Sequence, residues 1–241
     1  MEIIAYILFI ILGAVMASFL HCVAYREAHG MNWKKGRSKC DACQHNIDWR
    51  HNIPIVSYVA QRGKTSCCNK KLSIWHLAIE IVGAVLFGVV AYRYFQSPEL
   101  VSLARDLIIA TFAIFTIVFD SRYGLVSVPA SLATLLALAT ISVATMPIMS
   151  IAYGVGIGAG FFAIIRIATR GKGMGIGDIW LGAVMGVTLG FPNIVYSLMI
   201  AYIVGAIFAV YLLATHKAKA KDPIPFGAFL MIGFTAVAFF F

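Results

Sequence analysis

The chain has 241 residues, of which 61% are hydrophobic and only 12% are charged, and its formal net charge is +9. A soluble globular domain carries roughly 25% charged residues, so this composition excludes an ordinary soluble protein and indicates an integral membrane protein. The basic residues flank long apolar segments, so we expect membrane lipids, and no nucleic acid, as their partners.

Apolar segments recur along the chain, and several reach the ~20 residues that a helix needs to cross a hydrocarbon layer about 30 Å thick. They are too long and unbroken for the alternating strands of a membrane barrel. The sequence therefore predicts an all-α integral membrane protein with about eight transmembrane helices and a small cysteine-containing cytoplasmic loop. The predicted spans are residues 3–24, 74–94, 101–120, 127–146, 147–168, 178–193, 194–214 and 224–241.

A single hydrophilic segment, residues 25–73, sets the predicted orientation. Ten of the nineteen Lys and Arg residues lie in it, and cytoplasmic loops of membrane proteins carry the excess of basic residues. The segment is therefore predicted to be cytoplasmic, which places the N-terminus outside. The predicted domains are a first transmembrane helix at 1–24, the cytoplasmic loop at 25–73 and a polytopic bundle at 74–241.

The hydrophilic segment also holds four of the five cysteines of the chain, in the stretches KCDAC and TSCCNKK. A segment too short to build a core can be stabilised by a metal, and two cysteine pairs about 20 to 25 residues apart match a four-thiolate zinc site. The predicted ligands are Cys40, Cys43, Cys67 and Cys68. The second pair is adjacent rather than spaced, so His45, His51 or His76 is an alternative ligand. Four unpaired thiols are the other alternative, and a reducing cytosol argues against disulfides.

Carboxyl groups at membrane depth are energetically costly and indicate function. Four acidic residues fall in the predicted spans: Glu80, Asp106, Asp120 and Asp178. Glu80 is interpreted as the partner of a neighbouring polar group, and Asp106 as an interface residue at the outer end of its helix. Asp120 ends the run TFAIFTIVFD and Asp178 follows GKGMGIG. The predicted topology brings both of these aspartates to the cytoplasmic ends of their helices.

Two aspartates that approach each other closely share one proton and can hold a water molecule between them, as in an aspartic protease. Asp120 and Asp178 are therefore the candidate catalytic pair, and this chemistry needs no cofactor. Gly175 and Gly177, which lack a Cβ, are candidate substrate-binding residues because they can admit an extended peptide backbone. The alternative for Asp178 is a plain N-terminal helix cap.

Motifs along the whole chain resemble one family. GMGIGDIWLG at 173–182 is similar to the GxGD segment of prepilin peptidases, the type IV leader peptidases that also process pseudopilins of type II secretion. ASFLHCVAYR, KCDAC and NIPIVSYVAQRGK precede it in family order, FDSRYGLVSVP resembles the segment with the first catalytic aspartate, and IPFGAFL resembles the closing motif. One departure is Thr65, which stands where the family's third cysteine usually falls.

The resemblance implies an endopeptidase of a bacterial cytoplasmic (inner) membrane, which removes the basic leader from prepilins or pseudopilins at the cytoplasmic boundary. It assigns the catalytic roles to Asp120 and Asp178. For many members with the cysteine loop it also implies methylation of the new N-terminus by S-adenosylmethionine. Two other classes remain open on the sequence alone: a transporter that uses intramembrane carboxylates, and a non-catalytic membrane scaffold.

Overall fold

The computed structural model describes residues 2–32, 38, 40, 43, 45–171, 174–216 and 224–241. Within these residues the chain forms nine α-helices and one short 3₁₀ helix at Trp49–Asn52, and no named strand. The α-helices are α1 (Glu2–Ala28), α2 (Val56–Ala60), α3 (Ile74–Gln96), α4 (Leu100–Tyr123), α5 (Val128–Thr145), α6 (Ile148–Ala168), α7 (Ile176–Leu189), α8 (Asn193–Ala214) and α9 (Phe226–Phe240).

Each of the eight predicted spans contains one apolar helix. Six helices, of 18 to 27 residues, are long and apolar enough to cross a membrane, whereas α7 and α9 have only 14 and 15 residues. At 1.5 Å per residue, these two are shorter than the roughly 30 Å hydrocarbon layer. Helix α7 ends earlier than predicted because Gly190 adopts a left-handed φ of 63° and Pro192 follows it. The all-α multi-pass membrane fold is confirmed.

The chain separates into two compact units, Met1–Glu99 and Leu100–Phe241. In the first unit, α1 packs along α3. Gly13 and Gly83 lie at this contact, where a Cβ on either residue would meet the backbone of the other helix. Such small residues let membrane helices approach closely.

In the second unit, α4 packs against α9 and α5, α6 against α7, and α8 against α9. Gly158 on α6 faces Gly182 on α7, again with no room for a Cβ. Asp106 on α4 is buried, and the guanidinium of Arg105 binds its carboxylate at 3.1 Å. Among the described residues of this unit, Asp106 is therefore an ion-paired aspartate that is separate from the candidate catalytic pair.

Candidate active site

Asp120 lies in the last turn of α4 and is buried, with 7% of its surface exposed. Its Oδ2 accepts a hydrogen bond from the backbone N–H of Ala228 at 3.0 Å, and the N–H of Gly227 also donates to this carboxylate. Both donors belong to the first turn of α9, where backbone N–H groups have no partner within the helix. The start of α9 therefore holds the Asp120 carboxylate in place.

Asp178 lies in the first turn of α7 and is half-buried. Its Oδ2 accepts a hydrogen bond from the backbone N–H of Gly175 at 2.9 Å. The side chain thus reaches back to the residue that precedes the helix, as an acidic residue at this position does in a capping box. Gly175 is the N-cap residue, so Asp178 is not the N-terminal cap considered from the sequence; it binds the N–H of that cap residue from the third position of the helix.

The second unit places the two aspartates within electrostatic range of each other. The charge of Asp178 acts on the Asp120 carboxyl group and on the phenol of Tyr202 in α8, although the two aspartates are 58 positions apart in the chain. The rings of Tyr202 and Phe226 lie 4.8 Å apart. Two aromatic rings, one from α8 and one from α9, therefore pack against each other near Asp178.

The glycines predicted to bind substrate differ in their surroundings. Gly175 is exposed, and a Cβ there would lie 3.3 Å from Oδ2 of Asp178. Gly177 is buried, and a Cβ there would collide with the side chain of Val126. Gly175 thus borders open space next to Asp178, whereas Gly177 packs against the α4–α5 connection. Gly173 of the same motif lies outside the described residues.

Sequence reasoning did not find the role of Gly227 and Ala228, because nothing in the sequence pairs them with an aspartate more than 100 positions earlier. The motif IPFGAFL, which contains both residues, was the available signal.

Glu80 also has a specific partner, in the first unit: its Oε2 accepts a hydrogen bond from the backbone N–H of Ile55 at 2.7 Å. Ile55 has a φ of 62°, a strained value for a β-branched residue. This agrees with the interpretation of Glu80 as a partner for a neighbouring polar group.

The four cysteines of the hydrophilic segment form a cluster in the first unit. Their Sγ atoms all lie within 4.8 Å of one another, with 3.9 Å between Cys40 and Cys68 and 3.3 Å between Cys43 and Cys67. Zinc–sulfur bonds of about 2.3 Å in a tetrahedron put the sulfurs about 3.8 Å apart, so the cluster could hold a metal ion. None of the histidines considered as replacement ligands belongs to this group of described residues.

Hydrogen bonds around the cluster distinguish its two adjacent thiols. Bonds from the Thr65 hydroxyl and from the backbone of Lys70 lower the pKa of Cys68 to about 6. Hydrogen bonds with Cys43 and Cys40 raise the pKa of Cys67 to about 12. Thr65, at the place of the family's third cysteine, thus lies beside the cluster with its Oγ1 3.1 Å from Sγ of Cys68.

Comparison with known proteins identifies two family regions in the chain. Residues 11–94 match the bacterial peptidase A24 N-terminal domain, and residues 107–210 match the type IV leader peptidase family. No solved structure matches the chain.

Several curated relatives cover almost the whole chain. A prepilin leader peptidase/N-methyltransferase of Bacillus subtilis (strain 168) is 28% identical over 230 residues, which are 92% of this chain and 89% of the relative. Proteins of the same name from Pseudomonas putida and Vibrio cholerae serotype O1 are 28% and 27% identical, and they cover 94% and 99% of this chain and 88% and 98% of their own lengths. The two matched regions and these relatives agree with the motif order and the membrane fold, and the chain belongs to the type IV leader peptidase family.

Proposed function

We propose that this protein is a membrane aspartic endopeptidase that removes the leader from type IV prepilins or type II secretion pseudopilins, with Asp120 and Asp178 as the catalytic pair. The observation that supports the assignment is that carboxyl groups from α4 and α7 lie within electrostatic range of each other, in a unit that matches the type IV leader peptidase family. The curated relatives with the prepilin peptidase name support the class of substrate.

The reaction needs one water molecule and one shared proton. One carboxylate removes a proton from the water as it attacks the scissile carbonyl, and the other, protonated, carboxyl group donates a hydrogen bond to the carbonyl oxygen. The carboxyl group that took the proton from the water then donates it to the leaving amine. The exposed backbone at Gly175 leaves room for an extended peptide beside Asp178, and Gly177 would act by allowing α7 to begin close to Val126.

The site lies at helix ends, which fits cleavage at a membrane boundary. Asp120 is in the last turn of α4 and Asp178 in the first turn of α7. A transporter would be expected to hold such groups near the middle of the membrane.

We propose that these ends are cytoplasmic, in a bacterial cytoplasmic membrane, with the N-terminus outside. The basic residues of segment 25–73 support this orientation. This orientation also makes cytoplasmic two later loops that contain basic residues outside the described part of the chain, Lys172, Lys217, Lys219 and Lys221.

We propose that the cysteine cluster holds one structural zinc ion in the cytoplasmic segment. Zinc would bind the four thiolates and link the two cysteine-containing stretches of the segment, and no catalytic step passes through it. The purified protein is then expected to contain about one zinc ion per chain. Cys40→Ser should lose that zinc and lower the melting temperature, whereas Cys22→Ser, on α1 and outside the cluster, should retain both. Metal analysis by mass spectrometry checks the content, and a zinc-free wild-type protein would contradict the assignment.

The names of the curated relatives include N-methyltransferase activity as well. We propose S-adenosylmethionine as the methyl donor for such an activity in this chain. The same substrate preparation tests both reactions: purified protein in detergent is incubated with a prepilin, with and without S-adenosylmethionine, and the products are weighed by mass spectrometry. We expect a product that lacks the leader in both samples and carries one added methyl group only with the donor. An unchanged prepilin would instead favour a transporter or a scaffold.

A further inference from the structure

The connection between α6 and α7 carries Asp178 into the site, and it turns tightly after α6. Arg170 and Gly171 have φ values of 52° and 76°, and the backbone N–H of Gly171 donates to the carbonyl of Arg166 at 2.8 Å. This arrangement turns the chain back over the last turn of α6. The Arg166 side chain therefore lies beside the connection that leads to α7.

The guanidinium of Arg166 binds this connection a second time, farther along. Its Nη1 donates to the carbonyl oxygen of Met174 at 2.8 Å, and its terminal atoms lie 3.7 Å from the position of a Cβ on Gly171. Arg166 is half-buried, so this bond is only partly exposed to competition from water. One side chain thus binds the connection at Met174 and lies near it at Gly171.

The bond to Met174 reaches Asp178 through a single peptide group. The carbonyl of Met174 and the N–H of Gly175 belong to the same planar peptide unit. The carbonyl accepts from Arg166 at 2.8 Å, and the N–H donates to Oδ2 of Asp178 at 2.9 Å. A charged donor on the carbonyl side polarises the peptide and strengthens the hydrogen bond on its N–H side. Fixing the plane of the peptide also fixes the direction from which that N–H meets the carboxylate.

We propose that Arg166 is a positioning residue for the peptidase reaction, acting on Asp178 through the Met174–Gly175 peptide. The inference rests on the proposed function, because it gives Asp178 its catalytic role. It assigns Arg166 a task beyond that of a basic residue next to a membrane helix. Loss of the guanidinium should misdirect the Asp178 carboxylate and leave the substrate-contacting surface in place.

The test compares Arg166→Ala and Arg166→Lys with wild type in steady-state cleavage of a purified prepilin. Loss of a charge-assisted hydrogen bond at this position should lower kcat of Arg166→Ala about ten- to hundredfold with little change in KM. Added guanidinium chloride at millimolar concentration should restore part of the kcat of Arg166→Ala, since the free ion can occupy the vacated donor position. Arg166→Lys keeps the charge but loses the planar donor, and should fall between the two.

Arg170→Asn is the matched control, because it removes the same charge from an exposed side chain four residues away, and asparagine tolerates the left-handed φ of 52° at this position. It should cleave like wild type, and guanidinium should not change its rate. Equal losses in Arg166→Ala and Arg170→Asn, an effect on KM alone, or wild-type cleavage by Arg166→Ala would overturn the inference. If Arg166→Ala does not fold, Arg166→Lys decides: a wild-type kcat overturns the inference, and a reduced kcat at unchanged KM supports it. Failure of wild type to cut any prepilin would overturn the proposed function together with this inference, whereas cutting by wild type and variant alike would overturn this inference alone.

Discussion

Asp120→Asn and Asp178→Asn should each abolish cleavage of a prepilin while the protein still inserts into membranes. Removal of one general acid or base costs about 10²–10⁴-fold in rate, and the loss should lie at the upper end because the two carboxyl groups share one proton. An amide can neither accept nor release that proton. The variants are assayed for leader removal by mass spectrometry after purification in detergent.

Asparagine keeps the local structure of both aspartates. Its amide oxygen can still accept the hydrogen bond from Ala228 in the first case and from Gly175 in the second. Asp106→Asn is the matched control, because Asp106 is also a buried aspartate of α4 but binds Arg105. It should cleave like wild type. Full activity in Asp120→Asn or Asp178→Asn would exclude the catalytic pair and favour a non-catalytic membrane protein.

The helices could be predicted from the sequence because each apolar segment must satisfy its backbone within lipid. The bounds of α3, for example, differ by only two residues from the predicted 74–94. The least accurate bounds are those of α7, for which the apolar run continues through Phe191 although Gly190 has already ended the helix. Hydrophobicity marks where a segment can cross a membrane, and local backbone geometry decides where its helix stops.

The partners of the candidate site residues could not be predicted in the same way. The N–H of Ala228 that binds Asp120 is 108 positions away in the chain, and only the packing of α4 against α9 brings them together. Arg166 and the Met174 carbonyl that it binds are only 8 positions apart, but the chain between them passes through two residues with left-handed φ values. One of these two, Arg170, is not glycine, so its residue type did not indicate the turn. Residue type indicated which carboxyl groups could be catalytic, whereas tertiary packing determined which backbone N–H groups bind them.

The cysteine cluster could be predicted only in part. Spacing predicted a metal site, and adjacent Cys67 and Cys68 looked unsuited to bind one ion together. The turn around them resolves the difficulty: Asn69 adopts a φ of 57°, and the backbone N–H of Asn69 returns to the carbonyl of Thr65 at 3.0 Å. Successive side chains in such a turn need not point to opposite sides as they would in a strand. Both thiols therefore reach the same cluster.

Gly227→Ala should lower the cleavage rate about 10²-fold, because a small displacement of a reacting group can have that effect. A Cβ on Gly227 would lie 3.0 Å from Oδ2 of Asp120, 3.1 Å from its Cγ and 3.3 Å from Leu181. These atoms are confined between α4, α7 and α9, so the carboxylate must move away from the N–H groups at the start of α9. The measurement is kcat for a purified prepilin, together with the melting temperature of the variant in detergent.

Helix propensity separates this effect from general destabilisation. Alanine is favoured over glycine within a helix by up to about 1 kcal/mol, so the substitution by itself should not weaken α9. Gly205→Ala on α8 is the matched control, since its Cβ would lie at ordinary contact distances of 3.5 Å from Phe229 and 3.7 Å from Phe226. It should cleave at the wild-type rate. Wild-type cleavage by Gly227→Ala as well would mean that the contact between the start of α9 and Asp120 does not position the carboxylate for catalysis.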